Sequence, residues 1–223
     1  MKVLLWNCDA SWRFHDFILP RKNVYSHFIT THSMTVPLFE QNDMKVIRSQ
    51  WAVSPLLELP KDRSYLYKTS FVGQNHSIRP QIIKYLKDNS INVELFGRYW
   101  DGFDNWHKYI SFEEMSEVFG RSKINLNFAI AFNPQTMPQL KGRHWEIPGC
   151  KGFQISTPAD DLERYFEIGK EIVVVNSLEE MAEKIHYYLS HDDEREAIAL
   201  AGYERSARDH SWKQRFEHIL SEI

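Results

Sequence analysis

Short apolar runs alternate with amphipathic stretches from one end of this chain to the other. The first sixty residues switch between the two in KVLLW (2–6), SWRFHDFIL (11–19), SHFITT (26–31), TVPLFEQN (35–42) and KVIRSQWA (45–52). Runs of four to eight apolar or β-branched residues, each followed by polar breakers and a helical pattern, predict βαβ units around a parallel sheet. SPLLELP (54–60) and the KDRS after it read as a connector, and the alternation then restarts. Beyond it KTSFVG (68–73), NVELFG (92–97), INLNFAI (124–130), GFQIST (152–157) and EIVVVN (171–176) predict strands. Helices are expected over RPQIIKYLKDN (79–89), with Pro80 tolerated in its first turn, SFEEMSEVFGRS (111–122), a short HWEIPG (144–149) and DDLERYF (160–166). Ser111, with Glu114 three places on, makes a capping box, and SLEEMAEKIHYYLSH (177–191) repeats apolar residues at helical spacing behind an N-cap serine. Two closing helices, near 192–208 and 211–222, finish the pattern. The layer rules turn this into an open, mostly parallel α/β sheet sandwiched by helices, with one lobe over residues 1–58 and a second over 59–223.

Composition supports a folded core and narrows the partner. The 223 residues are 43% hydrophobic and 14% aromatic, enough for one large domain or two small ones. A formal net charge of −3 argues against a broad basic surface for nucleic acid and leaves room for a local cationic pocket. Cys8 and Cys150 are far apart and lack metal-ligand spacing, which fits a reducing compartment, the cytoplasm by default, and no structural zinc. No stretch approaches the about 20 apolar residues of a membrane span, and the apolar run at the amino end is too short for a signal-peptide core. The expectation is a protein that is neither exported nor inserted.

Open parallel sheets bind ligands where strands end and helices begin. TSFVG ends on Gly73 and Gln74, and Arg79 follows at a helix start. A glycine lets an anion approach the backbone, the helix start carries about half a positive charge, and an arginine adds a two-pronged phosphate contact. A tight strand-to-helix turn with a solvated arginine has the same letters. KGRHWE sets Lys141, Gly142 and Arg143 before another helix start, and two cationic loops meeting in one crevice would clamp a diphosphate. Glu146, three residues past Arg143, would face the same side and accept two ribose hydroxyls. A surface ion pair between them, worth under about 1 kcal/mol, is the plain alternative. No Asp-x-Asp pair of the sort that holds Mg²⁺ against a diphosphate occurs, so an electrostatic site without metal or cofactor is expected. His186 reads as structural or solvated and His210 as a helix-entry residue, while Trp100 and Trp106, in a polar loop, are candidates to stack on a ligand. Asp9, at the end of the first expected strand, is the one candidate for a catalytic base.

In order, FVGQNHSIR, ELFGRYWDGF, ISFEEMSEVFGRSKINLNFA and QLKGRHWEIPGCKGFQIST, followed by the segment from LERYF to WKQRF, resemble the nucleotide-sugar-binding half of group 1 glycosyltransferases. The resemblance is to enzymes of the GT-B fold, particularly the spore-maturation CgeB-like branch, and covers roughly residues 60–223. It implies a Rossmann-like α/β parallel sheet, with a GT-B type C-terminal lobe behind a shortened N-terminal lobe. It implies a transferase that moves a sugar from a nucleotide-diphosphate sugar to an acceptor hydroxyl, the acceptor being a glycan, a protein or a small molecule. By the same resemblance Lys141 and Arg143 meet the diphosphate, Glu146 the ribose, and the backbone at Ile110 and the cap Ser111 lie by the base. Lys151 stands where relatives more often have glycine. Residues 1–58 resemble only the last part of the family's acceptor-binding lobe, whose glycine-rich loop and usual base have no counterpart here. The expectation is therefore a shortened acceptor side, or one completed by a partner subunit, and a non-catalytic nucleotide-sugar-binding module is the alternative.

Overall fold

The computed structural model describes residues 1–8, 13–54, 56, 57, 59–61, 64–130 and 138–223. They form two parallel sheets. The first holds β1 (Leu4–Asn7), β2 (His27–Thr30) and β3 (Val46–Arg48) in the order β1-β2-β3. The second holds β4 (Tyr67–Val72), β5 (Glu94–Phe96), β6 (Ser122–Asn127), β7 (Gln154–Ser156) and β8 (Val173–Val174) in the order β5-β4-β6-β7-β8. The helices are α1 (Val36–Glu40), α2 (Arg79–Asp88), α3 (Phe112–Gly120), α4 (Arg143–Gly149), α5 (Leu178–Ser190), α6 (Asp192–Asp209) and α7 (Trp212–Ser221).

Register and side-chain alternation decide what each face carries. In the first sheet Leu5, Phe28 and Val46 line up across the strands and pack on Phe14, Ile18 and Phe39, while their neighbours Trp6, Ile29 and Ile47 face the other way, toward Ile219 of α7. The last helix thus returns to cover the first sheet, with Trp212 edge-on to Trp6 at 5.6 Å. In the second sheet Phe71 and Leu95 pair, as do Leu126, Ile155 and Val173, and all face α2 and α5. The opposite face carries a polar row, Ser70, Asn125 and Gln154, under α3 and α4. The chain steps from β4 out to β5 and then back to β6 on the other side of β4, and such a reversal opens a crevice beyond the carboxyl ends of the two central strands.

Three expectations are corrected. DDLERYF forms only a one-turn segment, Leu162–Arg164, because Asp161 sits at φ 64°, a left-handed conformation that a helix cannot pass through. INLNFAI pairs from Ser122 and stops at Asn127, and EIVVVN keeps a two-residue strand at the sheet's edge, where short strands are the rule. The capping box at Ser111 is present in full. Lys151 sits at φ 54°, the region that suits the glycine expected there, with its ammonium 4.8 Å from the centre of the Tyr203 ring.

Gly97 draws the ends of β4 and β5 together. Its φ is 139°, and a Cβ there would stand 2.3 Å from the Gly73 carbonyl oxygen, while the Gly73 N–H donates to Phe96 O at 2.7 Å. Gly97→Ala is expected to cost about 2 kcal/mol of stability, read by thermal or urea unfolding. An unchanged midpoint would show that this junction gives way without strain.

Candidate functional site

The crevice is built from β6 upward. Ile124, Leu126 and Phe128 alternate with Asn125 and Asn127, and since both faces of the sheet are covered the asparagines are buried and must find partners. Asn125 accepts from Ser70 Oγ at 3.1 Å and donates to the carbonyls of Phe119 and Phe153 at 3.0 and 3.2 Å. Asn127 Oδ1 accepts from Arg143 Nε at 3.1 Å, and its Nδ2 has no partner among the described residues. Arg143 opens α4 and Arg79 opens α2. The two guanidinium carbons lie 5.3 and 5.2 Å from the centre of one ring, that of Phe71. Arg79 donates to Gln74 O at 2.8 Å, and its Nε is buried without a partner among the described residues. Neither arginine forms an ion pair among the described residues.

Burial and the neighbouring charges leave their mark on the titration of both arginines. Burial, and then the charge of Arg143, push Arg79 down to about 9. Burial pushes Arg143 down to about 10 against the opposing pull of Glu146. Both stay charged at neutral pH. His76, in the loop between β4 and α2, is pushed down to about 4 by burial and then by Arg79, Lys141 and Arg143, so it is neutral among three cations. Burying cations in this way is unfavourable unless an anion joins them.

The turn into α4 is held from below by a histidine. His144 Nδ1 accepts the Lys141 N–H at 2.9 Å, which leaves Nε2 to donate to Ser156 Oγ, at the end of β7, at 3.1 Å. Burial pushes its pKa down to about 3, so the ring is a neutral strut between loop and strand. Lys141 Nζ donates to Gln139 Oε1 at 3.2 Å. A Cβ on Gly142 would stand 2.9 Å from Glu146 Oε1, so the missing side chain lets this carboxylate fold back over the helix start. Burial raises the Glu146 pKa, and Arg143 opposes the rise.

Beside the arginines, across Gly73, lies a cleft of about 180 Å³ lined by Val72, Gly73, Gln74, Ile110, Ser111 and Met115, among others. The Ile110 peptide makes no hydrogen bond among the described residues. Ser111 is engaged by its own cap: Oγ accepts the Glu114 N–H at 3.2 Å, and its N–H donates to Glu114 Oε2 at 2.7 Å. It frames the cleft. Trp100 is fully buried, so it is not a stacking platform, and its indole N–H donates to Gly73 O at 2.8 Å; Trp106 is half-buried and its N–H donates to Gly97 O at 2.8 Å. Both brace the strand ends.

Gly73, Gln74, Arg79, Ile110, Ser111, Lys141, Gly142, Arg143 and Glu146 therefore all gather around the carboxyl ends of β4 and β6, whereas Asp9 lies outside the described residues. Sequence reading missed Asn127, His76 and His144. The signal for Asn127 was present in the paired asparagines of INLNFAI, polar groups within an expected strand. His186 is exposed and meets Asn89 O at 3.1 Å, and His210, just before the cap of α7, is buried against Tyr165 O at 2.9 Å. Among the described residues no group of three or more His, Cys, Asp or Glu is placed to hold a metal ion, and no helix is long and apolar enough to cross a membrane.

No curated protein sequence matches the chain. Solved structures match it in fold. Anabaena HepE, in complex with UDP and glucose, has a TM-score of 0.75 at 9% identity, over 100% of this chain and 72% of its own. TarM, of S. aureus, gives 0.65 at 13% identity over 93% of this chain and 45% of its own. Sucrose-phosphate synthase from Thermosynechococcus elongatus gives 0.67 at 10% over 92% and 61%. The chain thus spans less than half of TarM and less than two thirds of the synthase. Its Rossmann-like α/β fold is that of GT-B glycosyltransferases. Residues 79–221, from the first residue of α2 to the last of α7 and through the whole Lys141-to-Glu146 turn, match the profile of the glycosyl transferase-like family, and the chain is a member of that family.

Proposed function

We propose that the protein transfers a sugar from a nucleoside-diphosphate sugar, held at the carboxyl ends of β4 and β6, to an acceptor hydroxyl on the side of the first sheet. One observation carries this reading: two guanidiniums, Arg79 buried and Arg143 half-buried, flank Phe71, and neither forms an ion pair among the described residues. A diphosphate is the anion that answers two such cations, and the unpartnered donors Asn127 Nδ2 and Arg79 Nε add hydrogen bonds to it. The base enters the mostly apolar cleft and pairs with the Ile110 peptide, and Glu146 accepts the ribose hydroxyls. As the bond from sugar to diphosphate breaks, negative charge grows on the leaving phosphate, and Arg79, Arg143 and Lys141 are already in place to stabilise it. Within the family, the order of motifs quoted above favours the CgeB-like branch, with residues 1–58 as the acceptor-side lobe and 59–223 as the donor lobe.

The test is a thermal-shift panel of UDP, GDP and dTDP, alone and as sugar conjugates. The cognate diphosphate at about a hundred times its Kd should raise Tm by roughly 5–10 °C. Release of free nucleotide from its sugar conjugate then marks a transferase, and stabilisation with no turnover marks a binding module. A chain that no nucleotide stabilises rules the reading out.

A further inference from the structure

The loop from β4 to α2 carries, besides Arg79, a titratable group to which the clamp described above gives no role. Its backbone is pinned at the strand end. The Gly73 N–H donates to Phe96 O at 2.7 Å, the Asn75 N–H to Arg98 O at 3.0 Å and the Arg79 N–H to His76 O at 3.3 Å. The Arg79 guanidinium folds back along the same loop to Gln74 O at 2.8 Å, and Ser77, at φ 56°, turns the chain into α2. His76 is therefore held, half-buried, at the entry of the helix that Arg79 opens. The charges of Arg79 from α2, and of Lys141 and Arg143 from the turn into α4, all act on its ring. Glu146, on that turn, acts on Arg143, and Arg98 places its guanidinium 5.0 Å from the centre of the Tyr109 ring.

An imidazole in this place stays neutral without ligand, because burial and then the three cations push its pKa down to about 4. A seated diphosphate reverses those surroundings. Its two negative charges enter among the very groups that repel the proton, and opposite charges within about 4–6 Å favour the ionised form of a group. A neutral ring offers a phosphate one N–H, whereas an imidazolium offers a charge-assisted hydrogen bond and a countercharge. We propose that His76 is a further diphosphate-binding residue, which meets the phosphates as an imidazolium and takes up a proton as the nucleoside-diphosphate sugar enters. The sign follows from linkage. The ligand favours the protonated ring, so affinity rises as pH falls through the value the ring has in the complex. The gain levels off below about 4, where the unliganded chain is protonated as well. The ligand itself does not supply this titration, since each phosphate of a sugar conjugate has a single ionisation, far below neutral pH. This inference rests on the nucleotide-sugar reading above and adds to it a cation that forms only with ligand.

The experiment is calorimetry with UDP-glucose and GDP-mannose at pH 5.5 and 7.5, each in two buffers of different ionisation enthalpy, which reads the protons taken up on binding. The chains compared are the wild type, His76→Asn, His76→Gln and Glu146→Gln. At pH 5.5 the wild type should take up about 0.5–1 proton with the cognate conjugate and bind it about tenfold more tightly than at pH 7.5. Both His76 variants should take up less than about 0.2 proton and lose about tenfold in affinity at pH 5.5, with a smaller loss at pH 7.5. Glu146→Gln, which removes the carboxylate of the α4 turn, should keep the uptake. A wild type that binds the conjugate without taking up a proton overturns the proposal. Uptake that survives in the His76 variants, or vanishes in Glu146→Gln, assigns the proton to another group and overturns it equally. Should neither His76 variant fold, the His76 ring signal in the NMR spectrum of the wild-type complex at pH 5.5 decides, and a ring that stays neutral there defeats the proposal. A wild type that binds no conjugate at all defeats the nucleotide reading first, and the two failures are thereby told apart.

Discussion

Arg143→Met is expected to lower the affinity for the cognate nucleoside diphosphate about a thousand-fold, near 4 kcal/mol, and to leave the bare nucleoside bound within about threefold. The guanidinium holds Asn127 through Nε and lies against Phe71 beside Arg79, so its loss removes one of the three positive charges facing a diphosphate. Methionine keeps an apolar stem on Phe71, which limits the change to charge and hydrogen bonding. The empty protein should hardly notice. Arg79 has its pKa pushed down to about 9 in the folded chain, well below the ordinary arginine range, so its charged form is disfavoured by folding. That deficit is present in full below about 9 and is recovered only as pH rises from there toward the ordinary value. Removing Arg143 takes away one of its two causes, and this offsets the hydrogen bond that Asn127 loses. Tm without ligand should therefore stay within roughly 3 °C of the wild type. Equal losses for UDP and uridine would mean that the crevice itself had collapsed, and unchanged UDP binding would place the diphosphate elsewhere.

What was legible in the sequence was what neighbours in sequence decide. The capping box at Ser111 is closed within four residues, and the N-cap at Ser177 works the same way. β4 to α2 and the turn into α4 were readable because glycine and arginine at a strand end limit what the backbone can do there. DDLERYF was misread because its fate is set from far away: Asp161 is held in a left-handed turn while its carboxylate meets Arg48, 113 residues earlier. Trp100 was misread for a similar reason. Nothing local says that Trp100 will donate to Gly73, 27 residues back, rather than face a ligand. His32 was out of reach altogether, since nothing local says that both of its ring nitrogens will be buried without a partner among the described residues. Local geometry thus reveals the frame of the crevice, and the groups that tune it come from contacts across the sheet reversal and between the two sheets.

Glu146→Ala is expected to weaken the cognate diphosphate about a hundred-fold, near 2.7 kcal/mol, and to erase discrimination between UDP and its 2′-deoxy analogue. In the wild type the deoxy analogue should bind about tenfold more weakly, because a half-buried carboxylate left with an unused lone pair is penalised more than an exposed one. Gly142 gives this carboxylate its place over the helix start, and the Lys141 loop that carries the glycine is braced by His144. Burial raises the Glu146 pKa above 4.5, with Arg143 opposing, so the folded chain holds this proton more tightly than the unfolded one. The sign follows: without ligand, the wild type loses stability from this group as pH climbs from 4.5 through the raised value, and the loss is complete above it. Glu146→Gln lacks that step. Its melting profile should be flatter over the same interval, its Tm at neutral pH no lower than the wild type's, and its UDP affinity between those of the wild type and the alanine variant, since an amide keeps one acceptor. If the deoxy analogue is still discriminated after Glu146→Ala, the ribose is read by another group, and Glu146 serves only to balance the charge of Arg143.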